Sequence, residues 1–560
     1  MRKLLINLTF LLFAATITSS AAVVADKSTF ANPMLWADVP DPDVIRVGDD
    51  FYMVSTTMHL MPGCPIMRSK DLVNWEVISY VFDTLDDNSR YRLIDGNVYG
   101  RGQWATSLKY HNGRFYVLFS PNDQPYRSYI YSTADPTGKW ELVSRTPHFH
   151  DSSLLFDDDG RVYVYSGTGN LRELNPDLSD VKEGGVDMVI FERDSTETGL
   201  LEGSRALKLN GKYYLLMISW PNGKPRRQVC YRADKITGPY EKKVILQSEF
   251  GGFPYAGQGT IVDDAKGNWW GVIFQDRGGV GRVLTLMPCR WIDGWPILGD
   301  ENGKIPAVME RPVAGCPDKK IVTSDDFDSD KLNINWQWNH CPVNEAWSLT
   351  DRPGHLRLTT SRVVDNLYNA PNTISQRMEG PECNGAVKID VSHMKDGDVA
   401  GFGAFNGHSG LLSIEKNNGK TELVMHTNVV KMERRTKNVL GVDNEEIQRV
   451  ALNSPVVMLR INADFRPGRD IARFAYSTDG KSWNEIGRDF KMRFDYQRLF
   501  MGTRFAIYNY ATREKGGYVD VDYFNYERLS DDAHSMEKAR AFDPFGHAGF
   551  DPSGKIRMTP

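Results

Sequence analysis

Residues 153–167 read SLLFDDDGRVYVYSG. The stretch is a short apolar segment, a turn of three Asp and one Gly, and then alternating Val and Tyr. Asp and Gly accept turn backbones, and β-branched or aromatic residues at alternate positions suit a pleated sheet, so it reads as a tight β-hairpin. The same grammar recurs in DVIRVGDDFYMVSTT (43–57), SLKYHNGRFYVLFS (107–120), RALKLNGKYYLLMIS (205–219) and TIVDDAKGNWWGVIFQD (260–276). Five copies at intervals of roughly 45–65 residues lie near the period of propeller blades. A second pattern follows three of them: RSKDLVNWEVIS (68–79), YSTADPTGKWELVS (131–144) and CYRADKITGPYEKKVI (230–245). Each is a strand, an Asp-containing turn and a resumed strand, which supplies the outer part of a blade. Five four-stranded blades around one axis leave only short sheet edges, so the expected architecture is all-β, with a five-bladed β-propeller over residues 30–311.

The grammar stops at PVAGCPDKKIVTS (312–324). Beyond it come WSLTDRPGHLRLTT (347–360), GAVKIDVSHM (385–394), RFAYSTDGKSWNEIG (473–487) and GGYVDVDYFNYE (516–527), a run of alternating strands that predicts an antiparallel β-sandwich over 322–530. Residues 531–560, with several Gly and Pro, read as a C-terminal extension. At the other end, Arg2-Lys3, an apolar run from Leu4 to Ala15 and small residues ending near Ala22 or Ala25 have the layout of a signal peptide over 1–25. That run is too short for an ordinary membrane span. The expectation is an exported protein, periplasmic or extracellular, without membrane insertion.

The 67 Lys and Arg against 72 Asp and Glu give a net charge of -5, which excludes a polybasic nucleic-acid binder. Six cysteines (Cys64, Cys230, Cys289, Cys316, Cys341, Cys383) never form a CxxC pair, which argues against a thiolate zinc site and a disulfide-dense scaffold. Most are expected to be buried as small hydrophobes.

Candidate chemistry lies where the inner strands begin. Asp41 precedes the first inner strand in DVPDPDVIR, flanked by prolines; Asp151 precedes the third in HFHDSSLLF; Glu202 precedes the fourth in LLEGSRALKL. Taken singly, each is an ordinary turn or capping residue. Their shared place in the repeat is what matters, because rotational symmetry would bring all three into one central cavity. Burial and mutual repulsion would then separate their pKa values, dividing them into a proton donor and a proton acceptor.

These motifs resemble glycoside hydrolase family 43, the five-bladed β-xylosidases and α-L-arabinofuranosidases. The resemblance rests on DVPDPDVIRVGDDFYMVST, GQWATSLKYHNGRFYVLFS, FHDSSLLFDDDGRVYVYSG, LLEGSRALKLNGKYYLLMIS and GRVLTLMPCRWIDGWP, in order. WQWNHCPVNEAWSLTDRPGHLRL and NAPNTISQR (369–377) are similar to the concanavalin-like sandwich of two-domain members. The resemblance implies Asp41 as general base, Glu202 as general acid and Asp151 as the acid that orients and tunes its neighbour. It implies Trp104 as an aromatic wall of the sugar pocket and Arg282 as a basic residue reaching substrate and acids. Also implied are an exo-acting, inverting reaction on a terminal pentose of plant cell-wall oligosaccharides, a pocket partly closed by a sandwich loop, and no required cofactor. Many relatives carry an axial His, sometimes with calcium; this chain has Gln258 there, so no metal ligand is expected. A lectin-like propeller without turnover is the alternative from another class, against which the full set of three acids argues. A retaining five-bladed fructosidase is the other, but its Asn-Asp-Pro-Asn-Gly-like, Arg-Asp-Pro and Glu-Cys motifs are absent.

Overall fold

The structure is a computed structural model that describes residues 28–529 apart from Ser248; the signal-peptide and C-terminal-extension expectations lie outside the described residues. Five four-stranded antiparallel sheets follow one another along the chain. Their innermost strands are Asp43–Val47, Ser107–His111, Ser153–Phe156, Leu200–Leu209 and Ala256–Asp263. In each blade the inner pair is the repeated hairpin, as Ser153–Phe156 against Val162–Ser166 shows. The second pattern supplies the outer pair, as in Gly63–Ser69 against Glu76–Phe82.

One hydrogen bond repeats around the axis and sets the blade spacing. The first residue of an inner strand accepts from a backbone N–H of the next, the strand's second residue in two cases and Ala206, beyond the bulge, in the third: Asp43 Oδ2 from Leu108 N at 2.8 Å, Ser107 Oγ from Leu154 N at 3.0 Å, Ser153 Oγ from Ala206 N at 2.9 Å. The fourth blade carries Arg205 at this position, 1% exposed. Its Nη2 donates to Asp41 O at 2.7 Å and its Nε to Pro42 O at 3.2 Å, tying the fourth blade to the first across the axis. The N-terminal strand Thr29–Ala31 pairs with Val308–Glu310, and Leu35 bridges to Leu284 in the fifth blade.

The second domain is a sandwich of two eight-strand sheets. One of them continues into the propeller, because Leu60–Met61 of the first blade pairs with Gln337–Asn339. The seam is pinned further by Gly279 N donating to Asp470 Oδ1 at 3.0 Å and Gly502 N donating to Asp38 Oδ2 at 2.8 Å. These contacts hold the sandwich segment around Phe500 beside the start of the first blade. All six cysteines are unpaired, five buried and Cys316 half-buried. Among the described residues no helix is long and apolar enough to cross a membrane.

Candidate active site

Asp41 and Asp151 occupy the same register, each two residues before the capping residue of its inner strand (Asp43 and Ser153). Both adopt left-handed backbone, φ 55° and 45°, a conformation that Asp tolerates better than most side chains and that concentrates at functional positions. Glu202 lies three residues before Arg205, and a β-bulge between Glu202 and Arg205 absorbs the extra residue. Such a bulge re-aims the side chain beside it. Gly203 makes the bulge possible: its φ is +74°, and a Cβ there would come within 2.5 Å of Gln258 Cδ.

Asp41 is buried. Its Oδ2 accepts from Thr56 Oγ1 at 2.6 Å and faces Arg282 Nη1 at 3.6 Å. Arg282 is itself buried, with its guanidinium 4.7 Å from the ring of Phe500. Phe500 comes from the sandwich and meets Trp104 edge-on at 5.8 Å between ring centres. Trp104 is anchored by its Nε1 donating to Gly100 O at 3.2 Å. Two aromatic rings and a guanidinium thus lie side by side next to Asp41.

Asp151 and Glu202 meet through His150. His150 Nε2 is 3.1 Å from Glu202 Oε2 and 4.0 Å from Asp151 Oδ1. Asp151 is buried, with 7% of its side chain exposed against 30% for Glu202. Burial, and then the negative charge of Glu202, push the Asp151 carboxyl well above the usual carboxylate range; Asp41 adds to this, and His150 and Arg205 oppose it. Glu202 and Asp41, from two other blades, thus both act on the charge of Asp151. The upward push falls on Asp151, the more deeply buried of the two neighbours. Like charges this close titrate as a set, and the set retains a proton into the neutral range.

The single ligand atoms of His150, Asp151 and Glu202 lie within 4.8 Å of one another. Spacing alone would suit a cation. But His150 Nε2 is engaged with Glu202 at hydrogen-bond distance, so the trio reads as a proton-sharing network. Gln258 is buried and offers one neutral amide, where calcium takes six to eight oxygens.

Sequence reasoning missed four contributors. Thr56 and Arg205 look like ordinary strand residues. Phe500 is distant along the chain and signals nothing locally. His150 was visible beside Asp151, but only its contact with Glu202 distinguishes it from any loop histidine.

Three blades thus bring Asp41, Asp151 and Glu202 into one another's electrostatic field, beside the buried Arg282 and the rings of Trp104 and Phe500. The sequence pattern of the glycosyl hydrolases family 43 matches residues 30–296, and that of the β-xylosidase C-terminal concanavalin A-like domain matches 324–527. A β-xylosidase of Formosa agariphila is 31% identical over 89% of this chain and 90% of its own. A non-reducing-end α-L-arabinofuranosidase of Bacteroides ovatus is 27% identical over 79% of this chain and 87% of its own. Among solved structures, a bifunctional GH43-CE protein of Bacteroides eggerthii superposes with a TM-score of 0.82 at 42% identity; the match covers 90% of this chain and 64% of that one. The chain belongs to glycosyl hydrolase family 43, and it is a glycosidase.

Proposed function

We propose that the protein is an exo-acting, inverting glycosidase that releases terminal α-L-arabinofuranose, β-D-xylose or both from oligosaccharides of plant cell-wall hemicellulose. Protonated Glu202 donates to the departing glycosidic oxygen while ionised Asp41 takes a proton from a water on the opposite face of the sugar. Arg282 and Thr56, both on Asp41 Oδ2, fix the direction of its carboxylate. The carboxyl groups of Asp41 and Glu202 should stand ~6.5–9.5 Å apart in the complex, leaving room for the nucleophilic water.

The observation that carries this reading is the meeting of three acids from three blades, with Asp151 in the field of both Glu202 and Asp41. Relatives named for xylosidase and for arabinofuranosidase activity support the two sugars. Export to the periplasm or the medium belongs to the same proposal and rests on the signal-like residues 1–25. The test is product analysis on arabinoxylan, arabinan and xyloglucan oligosaccharides with wild type and Glu202→Ala. Release of single pentoses by wild type, and its loss in the variant on these unactivated substrates, is expected. Binding without turnover by wild type would return the molecule to the lectin reading.

A further inference from the structure

His150 has no part in the two-acid scheme, yet it makes the closest side-chain contact to its proton donor. Its Nε2 sits 3.1 Å from Glu202 Oε2, and 38% of its side chain is exposed against 30% for Glu202 and 7% for Asp151. Its backbone is fixed by Gly167 N donating to His150 O at 2.7 Å, and its ring lies 5.8 Å from that of Trp104. It therefore touches Glu202 through Nε2 while part of its ring stays open to solvent.

We propose that His150 is a positioning residue for Glu202 that also returns its proton between turnovers. The proposal rests on the glycosidase reading above. After Glu202 has protonated the leaving oxygen it is a carboxylate. The imidazolium N–H bond at Nε2 then breaks, its proton forms the O–H bond at Oε2, and neutral imidazole takes a proton from solvent. Asp41 meanwhile releases to solvent the proton it took from the nucleophilic water, so the cycle balances without a further reactant. The surroundings suit this role. Burial works against a charged imidazole, but the hydrogen bond to Glu202 and the negative charges of Asp151, Glu202 and Asp41 outweigh it and raise the His150 pKa. A further titratable neighbour is His148, whose own pKa is lowered by burial and then by the charge of His150. With its acidic neighbours ionised, His150 thus keeps a proton at hand beside Glu202 Oε2 to a higher pH than a free imidazole would.

The test compares wild type, His150→Gln and His150→Phe on an unactivated xylo- or arabino-oligosaccharide from pH 4.5 to 9. The Gln amide overlays the Nε2 position and keeps an N–H donor toward Oε2 but does not titrate; Phe removes both functions. Near pH 5, where solvent itself is a ready proton source, the Gln variant should retain kcat within about threefold of wild type. At pH 8 it should lose more than about tenfold, with the alkaline limb of kcat/KM moved to lower pH by about one unit or more. The Phe variant should show the same shift and a lower kcat at every pH. Profiles that superimpose on wild type, or that fall by one constant factor at all pH values, would overturn the proposal while leaving the glycosidase reading intact. If wild type itself hydrolyses no glycoside, the glycosidase reading fails and this proposal falls with it.

Discussion

Replacing Arg205 by Met tests how the propeller holds its reactive backbone. The guanidinium is fully buried and donates to three carbonyls, Asp41 O, Pro42 O and Ser204 O, at 2.7, 3.2 and 2.8 Å. Its Nε also lies 3.7 Å from Asp43 Oδ1, another fully buried group. Met fills similar space but takes that donor from the three carbonyls and leaves Asp43 with the Leu108 N–H and, as cation, the more distant Lys109, 3.9 Å away. Breaking a buried charged network of this kind costs about 3–5 kcal/mol. For a domain this large, each kcal/mol lowers Tm by about 2 °C, so a fall of about 6–10 °C is expected by calorimetry of the full chain. The same change should lower kcat by at least about tenfold, because Asp41 sits in left-handed backbone that its own sequence does not favour and Arg205 is what holds it there. Arg205→Lys keeps the charge without the planar fork and should fall between the two. A Met variant within about 2 °C of wild type in Tm and about twofold in kcat would refute the clamp.

Thr56→Val removes the 2.6 Å hydrogen bond to Asp41 Oδ2 and should lower kcat/KM by about ten- to a hundredfold, read from steady-state kinetics. Gly203→Ala forces a Cβ into left-handed backbone and against Gln258, so stability should fall by at least about 1–2 kcal/mol in denaturant unfolding, with kcat falling as Glu202 is misdirected. Asp470, buried at the domain seam, has its carboxyl pushed up to about 7 by burial, with Lys491 and Gly279 N opposing. In the unfolded chain an Asp ionises near about 3.9, so between these values the folded chain holds the extra proton and stability falls as pH rises, by at most about 4 kcal/mol once pH exceeds 7. Asp470→Asn keeps the acceptor for Gly279 N and cannot ionise, so Tm measured at pH 5 and pH 8 should differ less in the variant than in wild type.

The hairpins were legible because their signal is local: turn residues and alternation within fifteen residues, repeated. The register of Asp41 and Asp151 was legible for the same reason, since each lies a fixed distance before an inner strand. Glu202 breaks that spacing by one residue, and the compensating bulge at Gly203 depends on its contact with Gln258 in the next blade, so the sequence showed the acid but not how it is aimed. The contacts that finish the site are long-range. Phe500 reaches Trp104 and Arg282 from the other domain, Arg205 crosses the axis to Asp41, and Leu60–Met61 joins a sandwich sheet. None of these partners carries a local pattern that names the other. His150 shows the limit most plainly, because its neighbour in sequence is Asp151 and its functional neighbour in space is Glu202.

The stereochemistry of the first-formed product bears most directly on whether Asp41 and Glu202 flank a single displacement by water. With an aryl β-D-xyloside followed by proton NMR from the first seconds, the anomeric signal of α-xylose should appear before mutarotation supplies the β form. If β-xylose appears first, a covalent intermediate with net retention is at work and the assignment of Asp41 as the base for water is wrong.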